Sequence, residues 1–126
     1  MILVDTSVWI DHFRRGDAIL SGLLNGGRVV MHPFVQGELA LGGAGARAGV
    51  LADLGHLPLA RVAGDEEVLY FIAANGLAGT GIGYVDAHLL AATRLGPGTR
   101  LWSRDKRLHA AAVRLGLAHE AVGLGL

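Results

Sequence analysis

The chain has 126 residues, of which 52% are hydrophobic and 17% are charged, a composition that favours one globular domain and argues against disorder. Eleven basic and eleven acidic residues leave no formal net charge at pH 7, so the total charge neither supports nor excludes a nucleic-acid partner. The absence of cysteine excludes disulfides and thiolate metal sites, and no apolar run approaches the roughly 20 residues of a membrane-spanning helix.

The N-terminal half alternates short apolar runs with stretches of helical periodicity. Thr6 or Ser7 can cap the first helix, and Gly16 follows its last residue. Pro33 suits the first turn of a later helix, because it has no N–H group to leave unpaired. The predicted elements are a strand at 1–5, helices at 8–15 and 17–24, a strand at 28–32, and helices at 34–43 and 47–56.

The C-terminal half continues this alternation. Acids at the start of residues 65–76 favour a helix there, because they complement its dipole. The glycine-rich residues 76–83 predict a loop, since Tyr84 stands where a dinucleotide-binding motif needs its third glycine. The remaining predicted elements are a strand at 57–62, helices at 84–96 and 104–116, a strand at 99–103, and a last short strand near 119–122.

Strands that alternate with helices indicate a parallel sheet with helices on both faces. The pattern therefore predicts a small α/β sandwich. The first residues do not resemble a secretory signal, because an acid follows the opening apolar run at once. We expect one domain over residues 1–126, a cytoplasmic location and no membrane partner.

Two acids follow predicted strands. Asp5 ends the apolar run that opens the chain, and Asp105 comes two residues after the strand at 99–103. Ligands of parallel sheets bind beyond the carboxyl ends of the strands. Asp5 and Asp105 are therefore candidates for a functional site at that edge.

Two further acids lie among apolar residues of predicted helices. At 100° per residue, Glu38 shares a helix face with Phe34 and Leu41, and Asp86 shares one with Leu90. This spacing predicts that both carboxylates point toward the core. For any one acid, a helix cap or a buried pair with arginine is the ordinary explanation.

The four acids together indicate a metal site. If Asp5, Glu38, Asp86 and Asp105 converge, their mutual repulsion disfavours the charged forms unless a divalent cation lies among them. Oxygen ligands without cysteine suit Mg²⁺ or Mn²⁺ better than zinc. A carboxylate pocket that holds Mg²⁺ commonly serves phosphate chemistry.

Four segments contain these acids: DTSVWIDHF at 5–13, VQGELALG at 35–42, YVDAHLLAA at 84–92 and LWSRDKRL at 101–108. In order and spacing they resemble the PIN-domain ribonucleases, and among these the VapC-type toxins of bacterial toxin–antitoxin pairs. The resemblance spans nearly the whole chain. It implies a PIN-like three-layer α/β/α sandwich with a small central parallel sheet.

The resemblance also implies roles for individual residues. The acids that match the family's catalytic and metal-binding carboxylates are Asp5, Glu38, Asp86 and Asp105. Thr6 (or Ser7) and Ser103 match hydroxyls that hydrogen-bond a carboxylate or water. His32 replaces a Ser or Thr cap that is common in the family, which leaves the chemistry untouched. No further acid accompanies the last one, so the number of metal ions stays open.

The implied activity is that of a Mg²⁺-dependent endoribonuclease, with Mn²⁺ as a substitute, that hydrolyses RNA phosphodiester bonds. The implied partners are RNA, a second copy of the chain in a homodimer, and a cognate antitoxin. The antitoxin's C-terminal arm is expected across the active-site groove, often with an arginine among the acids. Basic residues that would hold RNA phosphates, or are ordinary solvated helix charges, are Arg14, Arg15, Arg104, Lys106 and Arg107.

Two other functions fit parts of the pattern. A PIN fold kept only for binding a protein partner would share this architecture, although the presence of all four acids argues against it. An aspartyl-phosphate phosphatase also begins with a strand that ends in aspartate. That chemistry requires an Asp-x-Asp pattern, and Ser7 stands where the second aspartate would be.

Overall fold

A computed structural model describes residues 1–43 and 49–120 of the chain. Strands and helices alternate as the sequence predicts. None of the helices in these ranges is both long and apolar enough to cross a membrane. In chain order the elements are β1 (Ile2–Val4), α1 (Thr6–Arg15), α2 (Ala18–Asn25), β2 (Val29–Val30), α3 (Pro33–Leu41), α4 (Val50–Gly55), α5 (Asp65–Ala74), α6 (Tyr84–Leu95), β3 (Arg100–Trp102) and α7 (Lys106–Arg114).

The three strands form a parallel sheet in the order β2-β1-β3. Leu3, at the centre of β1, pairs with Val30 on one side and with Leu101 on the other. All three residues of β1 are buried, which explains why this strand is a continuous apolar run rather than an alternating one. The predicted three-layer α/β/α architecture with a small central parallel sheet is confirmed.

The core lies between the sheet and the helices that cover it. Leu3, Leu89, Leu90 and Leu101 are fully buried, and Trp9 of α1 is nearly so. Each such side chain contributes about 1.5–3 kcal/mol when it is removed from water. α6 is buried along most of its length, so packing fixes the position of the helix that contains Asp86.

Two predicted strands are reduced to single bridges. In the segment 57–62, only Leu59 pairs, through an isolated parallel bridge with Met31. Near the C-terminus, Ala118 forms one such bridge with Leu101, and residues 121–122 of the predicted strand lie outside the described range. Leu59 and Val62 are exposed, whereas Leu57 and Ala60 pack against the core.

Every helix boundary lies within three residues of its predicted position, and the starts of α1 and α4 differ as follows. The predicted cap at Thr6 or Ser7 is wrong, because Asp5 is the N-cap residue of α1 and the helix begins at Thr6. Helical spacing predicts a helix at 47–56, but α4 begins only at Val50, and residues 47–48 lie outside the described ranges. That residues 1–126 form one domain stays a prediction.

Candidate active site

Two of the four acids stand at the carboxyl edge of the sheet. Asp5 directly follows β1, and its backbone N–H donates to the carbonyl of Trp102 at 2.9 Å. Asp105 comes three residues after Trp102, the last residue of β3. Because β1 and β3 are neighbouring parallel strands, their ends bring both acids to the same edge.

Asp5 is buried and is held by two serine hydroxyls. Its Oδ2 accepts hydrogen bonds from Ser7 Oγ and from Ser103 Oγ, both at 2.8 Å. Each hydroxyl oxygen in turn accepts a backbone N–H at 3.0 Å, that of Arg104 on Ser7 and that of Asp105 on Ser103. The side chain of Asp5 is therefore tied to the backbone that leads into α7.

The other two carboxylates near helix starts also make ordinary capping contacts. Asp105 is the N-cap residue of α7, where its Oδ1 accepts the N–H of Leu108 at 3.0 Å. Asp86 lies in the first turn of α6, and its Oδ2 accepts the N–H of Gly83 at 3.4 Å. These contacts orient both side chains toward the N-terminal ends of their helices.

Glu38 does not point into the core, so this part of the sequence interpretation is wrong. Its apolar neighbours Phe34 and Leu41 are themselves exposed, and α3 buries the face of Val35 and Leu39 instead. Glu38 is exposed too. Asp86 is half-buried, which agrees only partly with the predicted core-facing position.

A hydroxyl connects Glu38 to the strand-end region. Thr6 Oγ1 donates to Glu38 Oε1 at 2.6 Å, which joins the first residue of α1 to α3. Thr6 directly follows Asp5 in the chain. The hydroxyl thus brings Glu38 toward Asp5 without burying it.

The pKa of Asp86 responds to the charges of the other three acids. Burial is the largest cause that raises the pKa of Asp86, and the hydrogen bond from Gly83 N–H partly offsets it. The negative charges of Asp5, Asp105 and Glu38 raise that pKa further. All three acids are therefore close enough for their charges to act on Asp86.

The four carboxylates are only partly engaged in hydrogen bonds with the described residues. Each has one oxygen that accepts a hydrogen bond, and the other oxygen receives none from the described residues. None of the four forms a salt bridge within residues 1–43 and 49–120. Their charge is thus left for a cation from outside, and oxygen ligands suit Mg²⁺ or Mn²⁺.

The described residues do not form a preformed metal-coordination site. Across the described ranges, no three histidine or acidic side chains already stand where they would hold a metal ion together. The fit of a divalent cation to this site therefore rests on the oxygen donors and on the concentrated negative charge, and not on preformed coordination geometry.

Arg104, one of the five basic residues predicted near the cleft, is already engaged. Its guanidinium donates to Asp11 at 2.9 Å and to Asp17 at 2.5 Å. It also lies 5.4 Å from the centre of the Trp102 ring. Arg104 is therefore not free to hold RNA phosphates in this arrangement.

The other four basic residues are more open. Arg14 lines a cavity of about 240 Å³ between α1 and α3, together with Glu38 and Phe13. Arg15 approaches Asp11 at 3.5 Å but is largely exposed. Exposed Lys106 and Arg107 begin α7, directly after Asp105.

Sequence reasoning missed two buried histidines beside the acids. His32 is fully buried and His88 nearly so, and the ring of Phe34 lies 5.1 Å from the first and 4.8 Å from the second. His32 Nδ1 accepts the N–H of Phe34 and so caps α3. Burial lowers the pKa of His32 to about 4, and His88 adds to this. The ring of Phe34 thus links His32, at the start of α3, to His88 on α6.

Comparison with known proteins gives one family and two relatives. Residues 2–114 match the family described as PIN domain. The chain is 48% identical over 118 residues to "Ribonuclease VapC32" from Mycobacterium tuberculosis strain CDC 1551 / Oshkosh. The protein of the same name from strain ATCC 25618 / H37Rv shows the same identity. Each alignment covers 94% of this chain and 95% of the relative.

Proposed function

Because this chain belongs to the PIN-domain family and to its VapC-type branch, we propose that it is a Mg²⁺-dependent endoribonuclease and the toxin of a toxin–antitoxin pair. The observation that supports this most strongly is the placement of the acids: Asp5 and Asp105 follow neighbouring strands of the sheet, and Thr6, next to Asp5, donates to Glu38. The charges of Asp5, Glu38 and Asp105 all raise the pKa of Asp86, and no arginine or lysine of the described residues neutralises them.

The residues that would hold the ion are Asp5, Glu38, Asp86 and Asp105. When bound, a divalent cation offsets the charge of a phosphodiester and makes it easier to remove a proton from water. Mn²⁺ is expected to replace Mg²⁺, because both prefer oxygen ligands.

The chain's own residues orient the reaction. The hydroxyls of Ser7 and Ser103 fix one oxygen of Asp5, so its other oxygen has a defined direction. Thr6 does the same for Glu38. A carboxylate of the four that is not directly on the ion would accept the proton of the attacking water. Water adds to phosphorus, one P–O bond of the backbone breaks, and the leaving oxygen takes up a proton from solvent.

RNA would be held by basic side chains around the acids. Arg14 shares a cavity with Glu38, and Lys106 and Arg107 follow Asp105 in the chain. Contacts from these residues and Arg15 to phosphates would be sequence-independent and weakened by salt. We assign them to binding and not to the chemical step.

The same open acids suit an antitoxin. An arginine of the partner placed among them would neutralise charge that the described part of the chain leaves unpaired. We propose that the antitoxin covers this site and thereby blocks RNA. A homodimer and a cytoplasmic location belong to the same proposal.

A second candidate is a protein-interaction domain without catalysis. The absence of a preformed three-residue metal cluster among the described residues favours it. In that case the acids would bind only a basic partner segment, and neither RNA cleavage nor cation binding would be found.

An RNA cleavage assay tests the proposal. Purified protein is incubated with total bacterial RNA, including tRNA and rRNA, in Mg²⁺, in Mn²⁺ and in EDTA. Asp5→Asn is the inactive variant, and Asp53→Asn, an exposed acid on α4, is its matched control. We expect discrete fragments that require metal, persist in the control and vanish in Asp5→Asn.

Two other results would contradict the ribonuclease proposal. Cleavage by Asp5→Asn at the wild-type rate would show that the acids are not the site. No cleavage, together with no cation bound in a Mn²⁺ titration, would leave the protein-interaction domain.

A further inference from the structure

Arg104 joins the segment after β3 to the α1–α2 region, which is far away in sequence. Arg104 is the second residue after β3. Its guanidinium contacts Asp11 on α1 and Asp17, the residue before α2. These partners lie 93 and 87 positions away in the chain. We call Arg104, Asp11 and Asp17 the arginine clasp.

Both carboxylate oxygens of Asp11 and of Asp17 are engaged in contacts. Asp17 Oδ1 accepts the N–H of Leu20 as the cap of α2, which leaves Oδ2 for Arg104. Asp11 Oδ2 accepts from Arg104, while its Oδ1 faces Arg15. The planar guanidinium suits two carboxylates at once, which a lysine ammonium does not.

The charges of the clasp stabilise one another. Burial raises the pKa of Asp17, but hydrogen bonds from Leu20 and Arg104 outweigh it, so that this pKa lies below its ordinary value. The pKa of Arg104 is raised, first by its hydrogen bond with Asp17. Side-chain exposure is only 15% for Asp17 and 38% for Arg104, so solvent screens this pair less than a fully exposed one.

The backbone of the clasp residue leads directly to the acids. The N–H of Arg104 donates to Ser7 Oγ, and the next N–H, that of Asp105, donates to Ser103 Oγ. Both hydroxyls donate to the same oxygen of Asp5. A shift of residues 103–105 would therefore change the direction of Asp5 and the place of Asp105 together.

We propose that Arg104 is a positioning residue, whose clasp with Asp11 and Asp17 holds residues 103–105 in place, so that Ser7 and Ser103 orient Asp5 and Asp105 faces the other acids. Its kinetic consequence rests on the ribonuclease activity proposed above. The sequence pattern left Arg104 as either a contact to RNA phosphates or an ordinary solvated charge, and the positioning and phosphate-binding roles predict opposite kinetics.

Steady-state kinetics separate the two roles. For Arg104→Gln we expect kcat to fall about 10- to 100-fold with KM nearly unchanged, because displaced catalytic groups lose rate rather than substrate. Arg104→Lys should restore little, because one ammonium cannot bridge both carboxylates. The double variant Asp11→Asn/Asp17→Asn should lose kcat in the same way, although it keeps Arg104. The exposed Arg61→Gln is the control for loss of one arginine charge.

If Arg104 instead bound an RNA phosphate, the kinetic results would be the opposite. KM would rise while kcat stayed constant, lysine would restore much of the binding, and the double asparagine variant would bind RNA more tightly because Arg104 is released. That set of results would overturn the proposal.

Amide hydrogen exchange tests the clasp without any RNA. In Arg104→Gln and in the double asparagine variant, the amides of Arg104 and Asp105 should exchange faster. The Leu101 amide, bonded within the sheet region to the carbonyl of Leu117, should keep its protection. Unchanged exchange at Arg104 and Asp105 would overturn the proposal. Faster exchange in a protein that cleaves no RNA would support the clasp and reject only the ribonuclease activity.

Discussion

The candidate site is built from two pairs of acids with different supports. Asp5 and Asp105, the strand-side acids, follow neighbouring parallel strands and are joined through the hydroxyl of Ser103. Glu38 and Asp86, the helix-side acids, lie on α3 and α6. One is exposed with a single hydroxyl contact, and the other is half-buried with a capping contact of 3.4 Å.

The contrast between the two pairs shows that carboxylates within one site can be held in place to different degrees. The sheet fixes Asp5 before any ligand arrives, because its backbone hydrogen bond to Trp102 continues the strand pairing. Asp105 is exposed, but its N–H is held by Ser103 and its side chain caps α7. The helix-side acids depend on how α3 and α6 pack. We therefore expect changes on the strand side to cost more activity, and changes on the helix side to alter charge and stability.

The largest effect is expected at Asp5. Asp5→Asn keeps an oxygen for Ser7 and Ser103 and so should fold, but it removes a charge from the most constrained position. Cleavage should fall on the order of 10³-fold. Fragment yield at equal protein concentration measures this, with folding checked by circular dichroism. A helix-side variant, Glu38→Gln, that lost more activity than Asp5→Asn would reverse the comparison.

The helix side should respond to acid through His32. Because its pKa in the folded protein is lowered from 6.5 to about 4, the unfolded chain binds more protons than the native state between these pH values. The free energy of unfolding should therefore decrease as pH falls through this window, by up to about 3 kcal/mol.

Urea unfolding across that window measures the response. His32→Asn retains a cap for α3 without a titrating ring, so its stability should change less with pH. Equal pH dependence in both proteins would show that His32 does not titrate as the structure indicates.

Removing one hydroxyl on each side compares the two supports directly. Ser103→Ala deletes a donor to Asp5 and leaves the N–H of Asp105 without its acceptor, so we expect a 10- to 100-fold loss of activity. Thr6→Val deletes only the single contact to Glu38, and its loss should be smaller. Equal losses would mean that the helix-side acid is as tightly constrained as the strand-side one.

The smallest expected effect is a gain in stability from Asp86→Asn. The substitution removes a charge that burial and three neighbouring acids disfavour, and its amide oxygen can still accept from Gly83. In EDTA the free energy of unfolding should rise, by no more than about 1 kcal/mol because solvent screens a half-buried group. Thermal unfolding measures this. A lower stability than wild type would contradict the repulsion among the acids.

Local signals in the sequence predicted the order of strands and helices and the acids at the strand ends. A buried strand is a continuous apolar run, and the residue that ends it is visible in the sequence. The exposure of Glu38 could not be predicted, because helical spacing does not tell which apolar neighbours stay in solvent. Phe34 and Leu41 prove to be exposed.

Spacing along the chain does not show which distant residues meet, although the family resemblance implied that Thr6 (or Ser7) and Ser103 bond a carboxylate or water. Ser103 bonds Asp5 across 98 positions, and Arg104 bonds Asp11 across 93 and Asp17 across 87. The hydroxyls of Thr6 and Ser7 looked like helix caps because the sequence shows only their local neighbours. In the fold they donate to Glu38 and Asp5 instead.

The most direct test of the account is a calorimetric titration of Mn²⁺ into the metal-free protein and its four single amide variants at Asp5, Glu38, Asp86 and Asp105, with Asp53→Asn as control. If the acids form one cation site on two supports, wild type and control bind alike. All four variants bind more weakly, and the strand-side variants lose the most. If the four variants bind Mn²⁺ as tightly as wild type, or wild type binds none, the acids are not a metal site.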